Sequence, residues 1–178
     1  ATEGAFAALK EDGTVEAWGN WEYGSKGLGT NKGLPNNLSG VKSIYSSRYA
    51  FAALMEDDTV RVWGKVGYGG SGVPSGLRGV KTIYSTDVSF AALKSDGTVV
   101  SWGNCVGDWC TPVGHGGTGV PVGLSGVKAI YSTYGAFAAL TVSGRVAAWG
   151  MRYYGNKVGS VASGLIGVKS IFSTSSVF

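Results

Sequence analysis

Phe6 to Trp18 reads FAALKEDGTVEAW, and the chain writes this phrase four times. It returns as FAALMEDDTVRVW from Phe51 to Trp63, FAALKSDGTVVSW from Phe90 to Trp102 and FAALTVSGRVAAW from Phe137 to Trp149, with Trp always 12 positions after Phe. Two short apolar runs flank a turn at Asp12-Gly13, Asp57-Asp58, Asp96-Gly97 or Ser143-Gly144. Asp-Gly in that setting signals a hairpin with a type I′ turn, because both central residues then need positive φ. Gly has no Cβ to clash there, and Asp tolerates the conformation better than most residues, so Asp58 is the weakest fit. A two-residue turn predicts that Ala7 faces Trp18, Leu9 faces Glu16 and Glu11 faces Thr14, with Phe6, Ala8, Val15 and Ala17 on the other side. Both faces are largely apolar, the pattern of a sheet covered on both sides. One hairpin cannot bury two faces alone, so each must stack on its neighbours.

A second phrase precedes each hairpin: VKSIYS (Val41 to Ser46), VKTIYS (Val80 to Ser85), VKAIYS (Val127 to Ser132) and VKSIFS (Val168 to Ser173). β-branched and aromatic residues at this density predict a third strand in each unit. Length varies only between the hairpin Trp and the next Val, so rigid strands carry one variable loop per unit. The recurring Trp18, Trp63, Trp102 and Trp149 are expected in the core, and Leu38, Leu77, Leu124 and Leu165 are expected to plug it from the loop ends.

The fold class is therefore all-β: four units of roughly 43 residues, three to four antiparallel strands each, arranged as β-propeller-like blades in a larger propeller or an open array. The chain, 1–178, reads as a single repeat array with units at about 1–40, 41–79, 80–126 and 127–167, and 168–178 opens a further one. ATEGAF at the start and STSSVF at the end occupy the same phase of the repeat. A closed four-bladed ring would need that segment once, so the expectation is an unclosed array with apolar faces exposed at both ends.

Composition narrows the function. Of 178 residues, 31 are Gly and 44% are hydrophobic, a turn-rich β composition with too much apolar content for disorder. A net charge of +4 without clustered Lys and Arg lacks the footprint of a specific nucleic-acid binder. No apolar run approaches the roughly 18 residues of a membrane-spanning helix. Acid–base chemistry finds poor material, since there is one His and Asp12, Asp57, Asp58 and Asp96 sit at hairpin turns. Cys105, Cys110 and His115 match no zinc spacing, so no metal or cofactor is expected; the two Cys read as a local disulfide or as free thiols.

The run VKSIYSSRYAFAALMEDDTVRVWG, followed by a Gly-rich loop, resembles the repeat of the regulator of chromosome condensation family. That repeat leads a strand into a hairpin of the form AL-x-x-DG-x-V-x-x-WG, and the likeness extends over all four units. It implies β-propeller blades and a role in interaction more than in catalysis. These units are shorter than the family's, and Tyr and Ser stand where the family carries His or Gly-Cys before the hairpin. The loops behind the founding member's nucleotide-exchange and chromatin contacts have no counterpart.

Two sets of residues are candidate sites. Lys42, Lys81, Lys128 and Lys169 share one position of the repeat and would align as an anion-binding stripe, or as a charged edge that discourages aggregation. Trp21, Tyr23, Tyr68, Trp109, Tyr153 and Tyr154 fall in the variable loops, where rigid scaffolds place recognition residues. Beside glycines they suit a partner protein or sugar rings; as plugs under the loops they would be structural. The leading reading is a non-enzymatic interaction scaffold presenting Gly/aromatic loops to a protein partner or to further repeats. The alternatives are a carbohydrate-binding module and a structural subunit of a larger assembly.

Overall fold

The computed structural model describes residues 1–25, 33–103, 119–150 and 165–174. Among these, strands fall into four antiparallel sheets, one per repeat, and helix is confined to single 3₁₀ turns at Trp21–Tyr23 and Val66–Tyr68. The first sheet pairs β1 (Ala5–Leu9) with β2 (Val15–Gly19). The second runs β3 (Val41–Ser46), β4 (Ala50–Met55), β5 (Val60–Gly64), and the third β6 (Val80–Ser85), β7 (Phe90–Lys94), β8 (Val99–Trp102). The fourth runs β9 (Val127–Ser132), β10 (Ala136–Thr141), β11 (Val146–Gly150). Each is a blade, and in every blade the FAAL strand is the middle or the first-paired one.

The hairpin turn corrects the expected register by one residue. Lys10 N donates to Thr14 O and Gly13 N to Lys10 O, so three residues, Glu11 to Gly13, lie in the loop. The same pair of bonds recurs at Met55/Thr59, Lys94/Thr98 and Thr141/Arg145. This is a type I turn closed by one left-handed residue, not a type I′ turn. The Asp side chain decides the matter. Asp12 Oδ1 accepts from Thr14 N at 2.9 Å and from Thr14 Oγ1, and Asp57 with Thr59 and Asp96 with Thr98 repeat the arrangement. Only the last loop residue then needs positive φ: 76° at Gly13, 77° at Gly97, 74° at Gly144, and 58° at Asp58, the one non-Gly member.

That one-residue shift puts Phe and Trp on the same face. Phe6 pairs with Trp18, Phe51 with Trp63, Phe90 with Trp102 and Phe137 with Trp149. Phe51 and Trp63 stack at 5.2 Å between ring centroids, and Phe90 and Trp102 at 5.5 Å. The opposite face carries small and branched residues. Ala50, Ala52, Leu54 and Val60 of the second blade pack against Val80, Ile83, Phe90, Ala92 and Trp102 of the third. Ala5 and Val15 meet Phe51 and Trp63 in the same way, and Ala91, Leu93 and Val99 meet Phe137 and Trp149. Every core is thus a junction between blades: an Ala-rich face on one side, a stacked Phe–Trp pair on the other.

The first strands β3, β6 and β9 neighbour one another and also the middle strand of the preceding blade, which makes them the inner strands of a radial stack. Backbone bonds stitch each junction at both ends. At the turn end Val41 N donates to Gly13 O, Val80 N to Asp58 O and Val127 N to Gly97 O, each at 2.9–3.1 Å. At the other end, where the inner strand links to the hairpin, Glu3 N donates to Arg48 O, Arg48 N to Asp87 O and Asp87 N to Tyr134 O. These four residues occupy one position of the repeat, three before Phe.

Three expectations fail, and for related reasons. Residues 168–173 do not form a strand, because no hairpin lies beside them to complete a ladder. Trp18 is 53% exposed and not core, because no described blade stands against its face. Leu165 is also exposed, whereas Leu38 is buried and Leu77 and Leu124 pack on the junction cores.

Trp63→Ala should lower unfolding free energy by about 3–5 kcal/mol, the range for deleting a large buried aromatic. Trp63→Phe should cost much less, since the buried Nε1 makes no hydrogen bond with any described residue. Trp18→Ala should cost well under half of the Trp63→Ala value. Urea titration of the three variants checks this ranking; equal losses at Trp18 and Trp63 would refute the junction core.

Candidate functional site

At the link end, the first two blades bring three tyrosines together. Tyr23 and Tyr68 stand 17 positions after their hairpin Phe, each at the end of a 3₁₀ turn. Asn20 caps the first turn by accepting from Glu22 N, and in both blades a link hydroxyl ties the turn down, Thr2 Oγ1 donating to Tyr23 O and Ser47 Oγ to Tyr68 O. Gly24 and Gly69 follow at φ of 108° and 99°. A Cβ on Gly24 would lie 2.8 Å from the Phe51 ring, and one on Gly69 would lie 2.5 Å from Phe90. The loop therefore rests flat on the next blade's Phe, and only Gly fits under it.

Both loop rings converge on Tyr49 in the link of the second blade. Tyr23 and Tyr49 lie 5.1 Å apart, and Tyr68 meets Tyr49 edge-on at 4.6 Å. Lys65 Nζ sits 5.1 Å from the Tyr49 centroid and 4.8 Å from that of Tyr68, and the Arg48 guanidinium lies 5.2 Å from Tyr49. Arg48 Nε also donates to Glu3 Oε2 at 2.7 Å, tying blade two to blade one. The Tyr49 hydroxyl shares that carboxylate. The Arg48 hydrogen bond, with that of Tyr49, holds Glu3 below the usual carboxylate range. Burial, with the Glu3 hydrogen bond, pushes the Tyr49 phenol up to about 12. The result is a half-buried aromatic patch with two cations and one anion at its rim.

The other candidates fall elsewhere. Lys42, Lys81 and Lys128 are all exposed, and each is the extra residue of a bulge where its inner strand slips against the middle strand. A bulge turns a side chain out of the alternation. These lysines lie at the turn end, away from the tyrosines, and Lys42 Nζ comes within 4.0 Å of Asp58 Oδ1. Lys169 is exposed in the 168–173 segment. Two equivalent clefts open at the same end. One, of about 410 Å³, is lined by Lys10, Glu16 and Leu34–Ser39, and the other, of about 540 Å³, by Arg61, Pro74 and Arg78 among others. Trp21 is 41% exposed beside Tyr23. Trp109, Tyr153, Tyr154, Cys105 and Cys110 lie outside the described residues. Among the described residues no three His, Cys, Asp or Glu side chains are placed to hold a metal ion.

The sequence singled out Tyr23 and Tyr68 but not Tyr49, Lys65, Arg48 or Glu3, which the fold gathers around them. One signal was available for Tyr49. Two positions before Phe the repeats carry Gly4, Tyr49, Val88 and Gly135, so a single bulky aromatic stands out.

No protein-family model and no curated protein sequence matches the chain. Solved structures do. The CRINKLY WD40 ectodomain of the Arabidopsis thaliana receptor kinase ACR4 aligns with a TM-score of 0.59 at 16% identity, over 84% of this chain and 54% of that one. Saccharomyces cerevisiae Prp20p, described with its binding to Gsp1p and histones, aligns with a TM-score of 0.58 at 18% identity over 85% and 44%. The same yeast RCC1 protein bound to Kap60 aligns with a TM-score of 0.59 at 20% identity over 93% and 46%. The chain spans about half the length of these structures, and what it shares with them is the RCC1-like β-propeller fold.

The raised Tyr49 pKa makes a signed prediction. Between pH 10, the ordinary tyrosine value, and about 12 the folded protein keeps a proton that the unfolded chain releases. The Tyr49 contribution to stability should therefore be constant below that window and fall as pH rises through it. Tyr49→Phe should flatten the decline and delete a late component from the phenolate absorbance titration. An unchanged titration in the variant would contradict the placement of Tyr49.

Proposed function

We propose that the chain is a non-catalytic interaction module that binds a protein partner at its link end, through Tyr23, Tyr49 and Tyr68. The observation that carries this reading is the convergence of loop rings from two adjacent blades on one link tyrosine. Aromatic residues and Arg are the types that dominate protein interfaces, because they bury large area at low entropic cost. The blades beneath are rigid sheets, so the patch is largely preformed. Lys65, lying over two rings, favours a partner that brings a carboxylate beside an apolar side chain. Prp20p, which shares the fold, is described as binding Gsp1p and histones, and this supports protein recognition by such a scaffold.

A photo-crosslinking residue at Trp21, on the margin of the patch, should capture the partner, which is then made recombinantly and titrated. Tyr49→Ala and Tyr68→Ala should each weaken binding by roughly thirtyfold, the loss of a hot-spot aromatic. Lys81→Ala and Lys128→Ala, at the turn end, should leave it unchanged. The reverse pattern would move the site to the lysines. A glycan-array signal abolished by the same tyrosine variants would replace the protein reading with carbohydrate binding.

A further inference from the structure

Beside the tyrosines, the ends of the inner strands enclose a polar cleft. Ser46, Ser85 and Ser132 close β3, β6 and β9, and with the link residues that follow them they line a space of about 310 Å³. Two rows of hydroxyl residues belong to it. Those of Ser47, Thr86 and Thr133 are spent on the links: Ser47 Oγ donates to Ala50 O, Thr86 Oγ1 to Ser89 O and Thr133 Oγ1 to Ala136 O. The hydroxyls of Ser46, Ser85 and Ser132 bond to no described residue.

Arg48, Asp87 and Tyr134 line the same cleft, at the repeat position that Glu3 holds in the first blade. Arg48 has a carboxylate in the blade on each side and bonds to one of them. Its Nε donates to Glu3, and the Tyr134 side chain shares a further hydrogen bond with it. The Asp87 carboxylate accepts no hydrogen bond and joins no ion pair among the described residues. It is half-buried, and that burial raises its pKa. The charges that act on it are Arg48 and Glu3, which oppose each other, so it has no counter-ion of its own. A carboxylate drawn out of water without a partner is unfavourable, and a cation brought into the cleft would offset that.

We propose that this cleft binds a primary ammonium group, the side chain of a lysine on the protein partner, through the Asp87 carboxylate and the hydroxyls of Ser46, Ser85 and Ser132. The inference rests on the reading of the tyrosine patch as a protein-binding surface. Arg48 joins the two, since it lines the cleft and lies 5.2 Å from the Tyr49 ring. An ammonium has three N–H donors and no acceptor, so one carboxylate and two hydroxyl oxygens satisfy it. A lysine carries that charge as a compact point on a flexible stem, which suits entry past Arg48 from a chain seated on the tyrosines. Neutral polyol hydroxyls would meet the same oxygens but leave Asp87 without a counter-ion. The partner is thereby specified by two opposite charges: a carboxylate against Lys65 and a lysine against Asp87. Juxtaposed charges of this kind fix register and exclude wrong partners more than they add affinity.

The test titrates Nα-acetyl-lysine methylamide into the isotope-labelled 178-residue chain and follows backbone amide resonances. Saturable shifts are expected at Arg48, Ser85, Thr86 and Asp87, and none at Lys81 or Lys128 at the turn end. Asp87→Asn is isosteric and removes no bond within the described chain, so circular dichroism and unfolding midpoint should stay put. It should weaken the lysine probe by roughly tenfold or more, as loss of a charge-assisted hydrogen bond does. Ser85→Val, which removes a cleft hydroxyl, should weaken it as well. The norleucine analogue of the probe, with the same stem and no charge, and glycerol should shift no cleft amide. Tyr68→Ala should lower affinity for the partner while the lysine probe still binds, so the cleft and the patch can fail separately. A lysine probe that leaves the cleft amides unmoved overturns the proposal and leaves the patch standing. Binding that survives Asp87→Asn overturns it too, and so does glycerol bound as tightly as lysine, which would make the cleft a polyol site.

Discussion

Each blade depends on the stacked Phe–Trp pair, because no blade can bury that pair by itself. A pair of large rings removes several hundred Å² from water only when a flat, small-residue surface lies against it. The Ala-Ala-Leu face of the preceding blade is that surface, and Ala at 0–1% exposure in three blades shows how close the sheets come. Larger residues there would hold the sheets apart. The radial arrangement, the inner position of the VKxIYS strands and the direction of the loops all follow from joining this face to that pair, repeat after repeat.

The same constraint positions the tyrosine patch. The loop after each hairpin must cross the edge of the next blade's Phe, and Gly24 and Gly69 let the backbone do so at van der Waals contact. The Tyr that precedes each Gly is thereby fixed at the link end, where the neighbouring link delivers Tyr49. One dipeptide thus has two places in the packing: the Gly lies under the next blade's Phe and the Tyr stands half-buried at the link end. Charge follows the same geometry. Lys65 and Arg48 sit over the rings, while the bulged lysines form a separate exposed series at the turn end.

How far the chain could be read in advance differs by scale. The repeat count, the all-β class, the three strands of a complete blade and the burial of Trp63, Trp102 and Trp149 were legible, because identical spacing four times over leaves one supersecondary unit. The hairpin register was not. Asp-Gly suits a two-residue and a three-residue loop alike, and the Thr two places after Asp, which closes the longer one by donating its N–H and its hydroxyl to the Asp carboxylate, is a quieter signal. That one residue decides which side of the sheet Trp occupies.

The sequence by itself determined everything that depends on local spacing: strand, link, hairpin, and a variable loop rich in Gly and Tyr. Period-2 alternation and turn chemistry act within about ten residues, and they are visible in a line of letters. The tertiary structure alone decided what depends on which repeats touch. It left Trp18 in solvent while burying its three counterparts, since burial comes from a neighbouring blade and not from the residue. It denied a ladder to Val168–Ser173, since a strand exists only beside a partner. It also joined Tyr23, Tyr49 and Tyr68, which lie 26 and 19 positions apart, because a junction between two blades sets a loop of one against a link of the next.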